Sequence, residues 1–228
     1  MECGIVTPWY KREPGLYIQL VAEINTSFPY LTVVEHENTI TIEGFLKLFD
    51  QDNREIDKYA ISVQLSNDYP ESIPLVFETG NRIPKNADRH FNSETGIACL
   101  FLPEERYKFY RKGASISDFI TGPVSSFFLG QTYYDLTHNW PAGQRSHGNA
   151  GIIEFYSELL KTTNRDTIVN FIEYLTKPQI KGHWNCYCGS KTKLRDCCLS
   201  ALNKYRELID PKDAKTSLDR LIKYPVSM

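Results

Sequence analysis

The sequence predicts an α+β protein: an N-terminal helix, a four-stranded antiparallel meander, a long loop and a set of C-terminal helices, with a small metal-binding module at the end. Three observations predict it. Apolar residues recur at helical spacing near the start, four runs rich in β-branched and aromatic residues follow within fifty residues, and four of the six cysteines crowd into one short stretch. The expected division is residues 1–176 for the larger domain and 177–228 for the zinc module with its terminal helices.

Leu16, Leu20 and Ile24, with Tyr17 and Val21 beside them, mark the first helix, which Pro29 closes. Strands are expected over 31–35, 39–49, 58–65 and 75–79. Turn formers such as Asp50-Gln51-Asp52-Asn53 and Ser66-Asn67-Asp68-Tyr69-Pro70 separate them, and connections this short join antiparallel neighbours. Between Gly80 and Lys112 the periodicity fades into a long loop, a kind of segment that often carries function. Helical patterns return over 115–129, with Ser115 or Ser117 as cap, then over 151–161, 166–176, 199–209 and 213–223.

The bulk composition narrows the classes. Of the 228 residues 41% are hydrophobic and 24% charged, which excludes a disordered chain, and the net charge of -2 leaves no global footprint for nucleic acid. No run approaches a membrane span and the first residues lack the pattern of a secretory leader, so a cytoplasmic protein is expected, with neither membrane nor nucleic acid as partner. In a reducing compartment cysteines serve as metal ligands, catalytic groups or free thiols rather than disulfides.

The string CYCGSKTKLRDCC puts Cys186 and Cys188 on one face of an extended segment, and Gly189 permits a reversal that returns Cys197 and Cys198 over them. Four converging thiolates suit a closed tetrahedral site for structural Zn2+; free or oxidised thiols are the alternative. The string resembles the SEC-C motif, a small zinc module with a C-x-C-G-S start and a C-C or C-H finish. Around it seven lysines and arginines between 177 and 206 face one aspartate, Asp196. That patch suits an acidic protein surface or a phosphate backbone, or is simply a solvated face.

The lone Cys99 lies in HFNSETGIACL, after His90 and Asn92 and three residues beyond Gly96. The residues alone leave it open whether Cys99 is a buried small hydrophobe or a nucleophile. The surrounding order resembles a ubiquitin-conjugating enzyme, a UBC-like fold. In that family a Y-P-x-x-x-P-x-V-x-F strand leads to an H-P-N turn and N-G-x-I-C-L. The matches here are Tyr69, Pro70, Pro74, Val76 and Phe77, then His90 and Asn92, then Gly96, Cys99 and Leu100. Phe91 stands where the family has proline, and Ile97-Ala98 reverses the usual order. The stretch from Trp140 to Gly151 looks more like the divergent prokaryotic branch, whose members sit in antiphage CBASS operons beside cGAS-like nucleotidyltransferases.

The resemblance implies an acyltransferase in which Cys99 takes the C-terminus of a partner protein as a thioester and passes it to an amine. The implied partner is the tail of a cognate nucleotidyltransferase or a ubiquitin-like protein. Asn92 would offer an amide to the oxyanion or pin the loop, and His90 would shape the loop or act as base. His147 is a further candidate base, or a cap. No phosphate-binding loop is present, so any ATP-driven activation belongs to an activating enzyme. Two rivals are a cysteine hydrolase that removes a C-terminal conjugate and a non-catalytic zinc adaptor that holds a tail.

Overall fold

The computed structural model describes residues 7–111, 113–141, 146 and 148–224, and His147 and Cys3 lie outside them. The chain forms two compact units: Met1–Phe101 with Lys108–Gly143, and Leu102–Tyr107 with Gln144–Met228.

Unit 1 opens with a single turn, α1 (Trp9–Arg12), and α2 (Pro14–Ser27), which starts at a proline whose missing N–H costs nothing in the first turn. Leu20 and Ile24, one turn apart, are the buried residues of α2. Trp9 is buried against the ring of Tyr69, 4.7 Å away, and its backbone N–H donates to Asn67 Oδ1 at 2.9 Å.

The sheet runs β1 (Leu31–His36), β2 (Thr39–Phe49), β3 (Glu55–Leu65) and β4 (Leu75–Glu78), in that spatial order and antiparallel throughout. Alternation fixes which face is inward: Tyr59, Ile61, Val63 and Leu65 on β3 are all buried, as are Ile40, Ile42, Leu46 and Leu48 opposite them. Gly44 sits among the latter at φ 137°, where a Cβ would collide with the Tyr30 carbonyl oxygen that accepts the Phe45 N–H. β3 begins three residues before its expected start because Glu55 pairs with Phe49 of β2 across a register shift that leaves Ile56 as the extra residue, both of them exposed.

After the loop come α3 (Arg106–Phe109), which straddles the two units, then α4 (Ile116–Phe119) and α5 (Ser125–Thr137). Of the two expected candidates, Ser115 rather than Ser117 is the cap, and with Asp118 it closes a capping box on α4. A π turn over Ile120–Val124 joins α4 to α5. Pro123 has no N–H to give and its ring crowds the preceding turn, so the helix widens there. The Ser125 hydroxyl donates to the Ile120 carbonyl at 2.7 Å. α5 runs eight residues beyond the expected end at 129, since the polar Gln131 and Thr132 are buried with hydrogen-bond partners rather than turned to water.

Unit 2 packs α6 (Gly148–Leu160), α7 (Arg165–Thr176), α8 (Leu199–Arg206) and α9 (Pro211–Lys223) around Phe155, Tyr156, Phe171, Leu202 and Leu218. The expected boundary at 176/177 therefore falls inside this unit. The cysteine stretch has too few apolar groups for a core of its own and shares that of α7. The Phe171 ring lies 5.1 Å from Tyr187 and 5.7 Å from Tyr205, and the Tyr174 hydroxyl donates to the Asn185 carbonyl at 2.7 Å. The strap 102–107 belongs to the same unit: Glu104 is buried and its Oε1 accepts from the Tyr156 hydroxyl at 3.4 Å. Burial pushes the Glu104 carboxyl above its ordinary pKa.

Candidate functional site

The segment 90–99 is a short ladder built onto the sheet. Ile97 bridges Phe77 of β4, Phe91 bridges Ala98, and the Ala98 N–H donates to the Val76 carbonyl at 2.8 Å. Within the ladder the Asn92 N–H donates to Ile97 O at 2.9 Å and the Cys99 N–H to His90 O at 2.8 Å. Facing residues of an antiparallel pair project to one side and their neighbours to the other. Phe91 and Ala98 are buried, so the register assigns His90, Asn92 and Cys99 to the outer side. Asn92 and Cys99 are exposed and His90 is half-buried.

Cys99 is exposed, so the thiol does not fill the core. Its sulfur lies 4.0 Å from the Ile97 carbonyl oxygen. Phe91, at the position where the turn it resembles in sequence has proline, is explained by packing. Its ring meets Phe127 edge-on at 5.3 Å and lies under the Lys85 ammonium at 4.4 Å, filling space that a proline would leave.

Asn92 pins the turn: Oδ1 accepts the N–H groups of Glu94 and Thr95, both at 2.9 Å. Both bonds use the carbonyl oxygen and neither uses the amide nitrogen. His90 adopts the left-handed conformation at φ 53°, and its ring stands edge-on to Trp140 at 4.5 Å. Trp140 in turn packs on Tyr134 at 4.9 Å. Beside this group a cleft of about 420 Å³ is lined by Leu100, Phe109, Phe127 and Trp140, with Lys108 and Asp118 as its charged residues. In the sequence Trp140 stands out only as the start of the stretch to Gly151, and its contact with His90, fifty residues earlier, leaves no local signal.

The second candidate site lies in unit 2. The four Sγ atoms of Cys186, Cys188, Cys197 and Cys198 all lie within 4.8 Å of one another, a set able to hold a metal ion. Cys186–Cys188 are 3.3 Å apart, Cys188–Cys197 3.6 Å and Cys197–Cys198 3.5 Å. A tetrahedron with metal–sulfur bonds of about 2.3 Å has edges of about 3.8 Å, so the donors fit with small adjustments. A hairpin sets them up: Asn185 bridges Lys193, the Cys186 N–H donates to Thr192 O at 2.9 Å, and Gly189 turns the chain at φ 79°. Partial burial works to raise the Cys188 thiol, but hydrogen bonds from the Ser190 hydroxyl and N–H to its sulfur bring it down to about 6.

Comparison of the chain with protein-family models, with curated proteins and with solved structures yields no match. Among the described residues no helix is long and apolar enough to cross a membrane. The geometry defines an α+β protein with a four-stranded antiparallel sheet, one exposed cysteine on a turn beside a cleft, and one four-cysteine site able to bind a metal.

Proposed function

We propose that the protein is a ubiquitin-conjugating-like acyl carrier, with Cys99 as the nucleophile and Zn2+ as a structural ion in the four-cysteine site. The observation that carries this reading is the exposed Cys99 on the outer face of a pinned turn, with Asn92 and His90 on the same face. In the reaction the Cys99 thiolate attacks the activated carboxyl terminus of a partner protein, expels the activating group and holds the acyl chain as a thioester. An amine then displaces the thiolate and forms an amide. The Asn92 amide nitrogen is the candidate donor to the oxyanion of each attack, a contact commonly worth about 3–4 kcal/mol in the transition state. His90, with its ring against Trp140, shapes the loop.

The cleft beside Leu100 supports a peptide tail as substrate, since its walls are largely apolar with one cation and one carboxylate. Resemblance to the prokaryotic branch gives the tail of a cGAS-like nucleotidyltransferase, under control in antiphage defence, as the partner to try first. Four thiolates leave zinc no open position for catalysis, so the ion's chemistry is to hold the hairpin of unit 2 together.

The test mixes the metal-loaded chain with the candidate partner and its activating enzyme and runs the products without reductant. The reading expects a thiol-sensitive adduct that Cys99→Ala abolishes and Cys99→Ser converts to a thiol-resistant ester. Release of a tail by water alone, with no adduct and no amine needed, would instead make it a cysteine hydrolase. Tight binding without any covalent product would make it an adaptor.

A further inference from the structure

We infer that Gln131 is a positioning residue for Cys99, acting through the backbone of Arg89 and His90; the inference deepens the acyl-carrier reading and rests on it for its consequence in catalysis. Gln131 lies on α5 and is fully buried, and both ends of its amide are spent on one residue. Nε2 donates to the Arg89 carbonyl at 2.8 Å, and Oε1 accepts from Arg89 Nε at 2.8 Å. The next turn of α5 completes the grip. Asp135 Oδ1 accepts from the Arg89 guanidinium at 2.6 Å, and the Tyr134 ring lies 4.7 Å beneath it.

The consequence is a fixed peptide plane. The carbonyl of the Arg89–His90 peptide is held by Gln131, and its N–H donates to the Ala87 carbonyl at 2.8 Å. With both polar atoms tied, His90 is held at φ 53°, a conformation that costs a residue with a Cβ free energy and persists only where its surroundings enforce it. The carbonyl of that strained residue is the acceptor for the Cys99 N–H at 2.8 Å. A position needed only to fill the core would be served by leucine, which has no polar group to satisfy. Gln131 is instead the buried end of a chain of contacts that finishes at the backbone of the thiol residue.

The experiment measures hydrogen exchange by NMR on the full-length, metal-loaded chain. Gln131→Ala is expected to speed exchange of the Cys99 amide by about tenfold, the scale of one lost hydrogen bond, relative to sheet amides such as Ile42 and Val63. His90→Asn in the Gln131→Ala background is expected to restore most of that protection, because asparagine accepts the left-handed conformation more readily than histidine. The rate of thioester formation at saturating donor should fall and recover in parallel, with the half-saturating donor concentration unchanged. Should Gln131→Ala not fold, Gln131→Glu keeps the size and an acceptor for Arg89 Nε but offers no N–H to the Arg89 carbonyl, and carries the same expectations. Equal acceleration at Cys99 and in the sheet, or no rescue by His90→Asn, would overturn the positioning role. If the wild-type chain forms no thioester, the acyl-carrier reading fails while the exchange data still decide whether the clamp exists.

Discussion

Cysteine occupies two opposite environments in this chain. Cys99 lies on the outer face of a short ladder, exposed and tied in place by its backbone N–H. Cys186, Cys188, Cys197 and Cys198 converge so closely that each sulfur is within 4.8 Å of the other three. The difference shows that what a thiol can do depends on its neighbours' geometry. Four thiolates around one point can satisfy a closed coordination sphere, whereas a single thiol on an outward-facing turn is exposed to solvent.

The largest effect is expected from disrupting the four-cysteine site, which is able to hold a metal ion. A chelator, or Cys197→Ser, is expected to lower the melting temperature of unit 2 by more than about 10 °C, since metal binding in such small modules supplies several kcal/mol of folding free energy. Scanning calorimetry checks this, and an unchanged melting profile would mean that the cluster holds no metal. The loss should be partial rather than complete, because Phe171, Tyr156 and Leu218 form a core that the cysteines join but do not create.

A smaller effect separates the two environments by pH. In unit 1, burial opposes ionisation of Asp57, but the Arg82 guanidinium at 2.6 and 2.8 Å, the Thr132 hydroxyl and the Lys58 N–H hold its carboxyl down to about 2. A lowered folded pKa gives stability that is present above the ordinary aspartate range and is lost as pH falls through about 2. In unit 2, burial first and then the charges of Asp210 and Glu104 push Asp213 up to about 6. A raised folded pKa gives stability that is fully present below the ordinary range and is lost as pH rises through about 6. Asp213→Asn is therefore expected to raise the unit 2 melting temperature at pH 7.5 and to flatten its decline between pH 4 and 6. A parallel shift at both ends of that range would contradict the assignment.

The smallest effect belongs to Cys99. With its sulfur on the surface, Cys99→Ser should change stability by less than about 0.5 kcal/mol in denaturant titrations, while removing one readily alkylated thiol. A cost above about 2 kcal/mol would place Cys99 among the structural cysteines instead.

Much of this was legible in the sequence because local rules carry it. The four strands follow from alternation around Ile40, Ile42, Ile61 and Val63, and the metal cluster from the spacing of its cysteines. What stayed hidden depends on contacts between distant residues. Gln131 lies beyond the helix end expected at 129, and the partner of its amide, Arg89, is forty-two positions away. The grouping of α6 and α7 with the cysteine stretch has no local signal either: Phe171 reads as the apolar face of a finished helix, and its contact with Tyr187 joins residues sixteen positions apart. α6 starts at Gly148 rather than Gly151, and Gly151 has its own reason for lacking a side chain: a Cβ there would run into the Ser146 carbonyl oxygen.

The strap 102–107 has a consequence in time as well as in space. During synthesis it leaves the ribosome about forty residues before the first helix of the unit that buries it, and well over a hundred before the last turn of α9. At roughly 5–20 residues per second, Glu104 and Glu105 stay in water for several seconds with their acceptor site unbuilt. The burial of Glu104 beside Tyr156 can therefore be completed only after α6 has been made, so the strap is among the last parts of its unit to be enclosed.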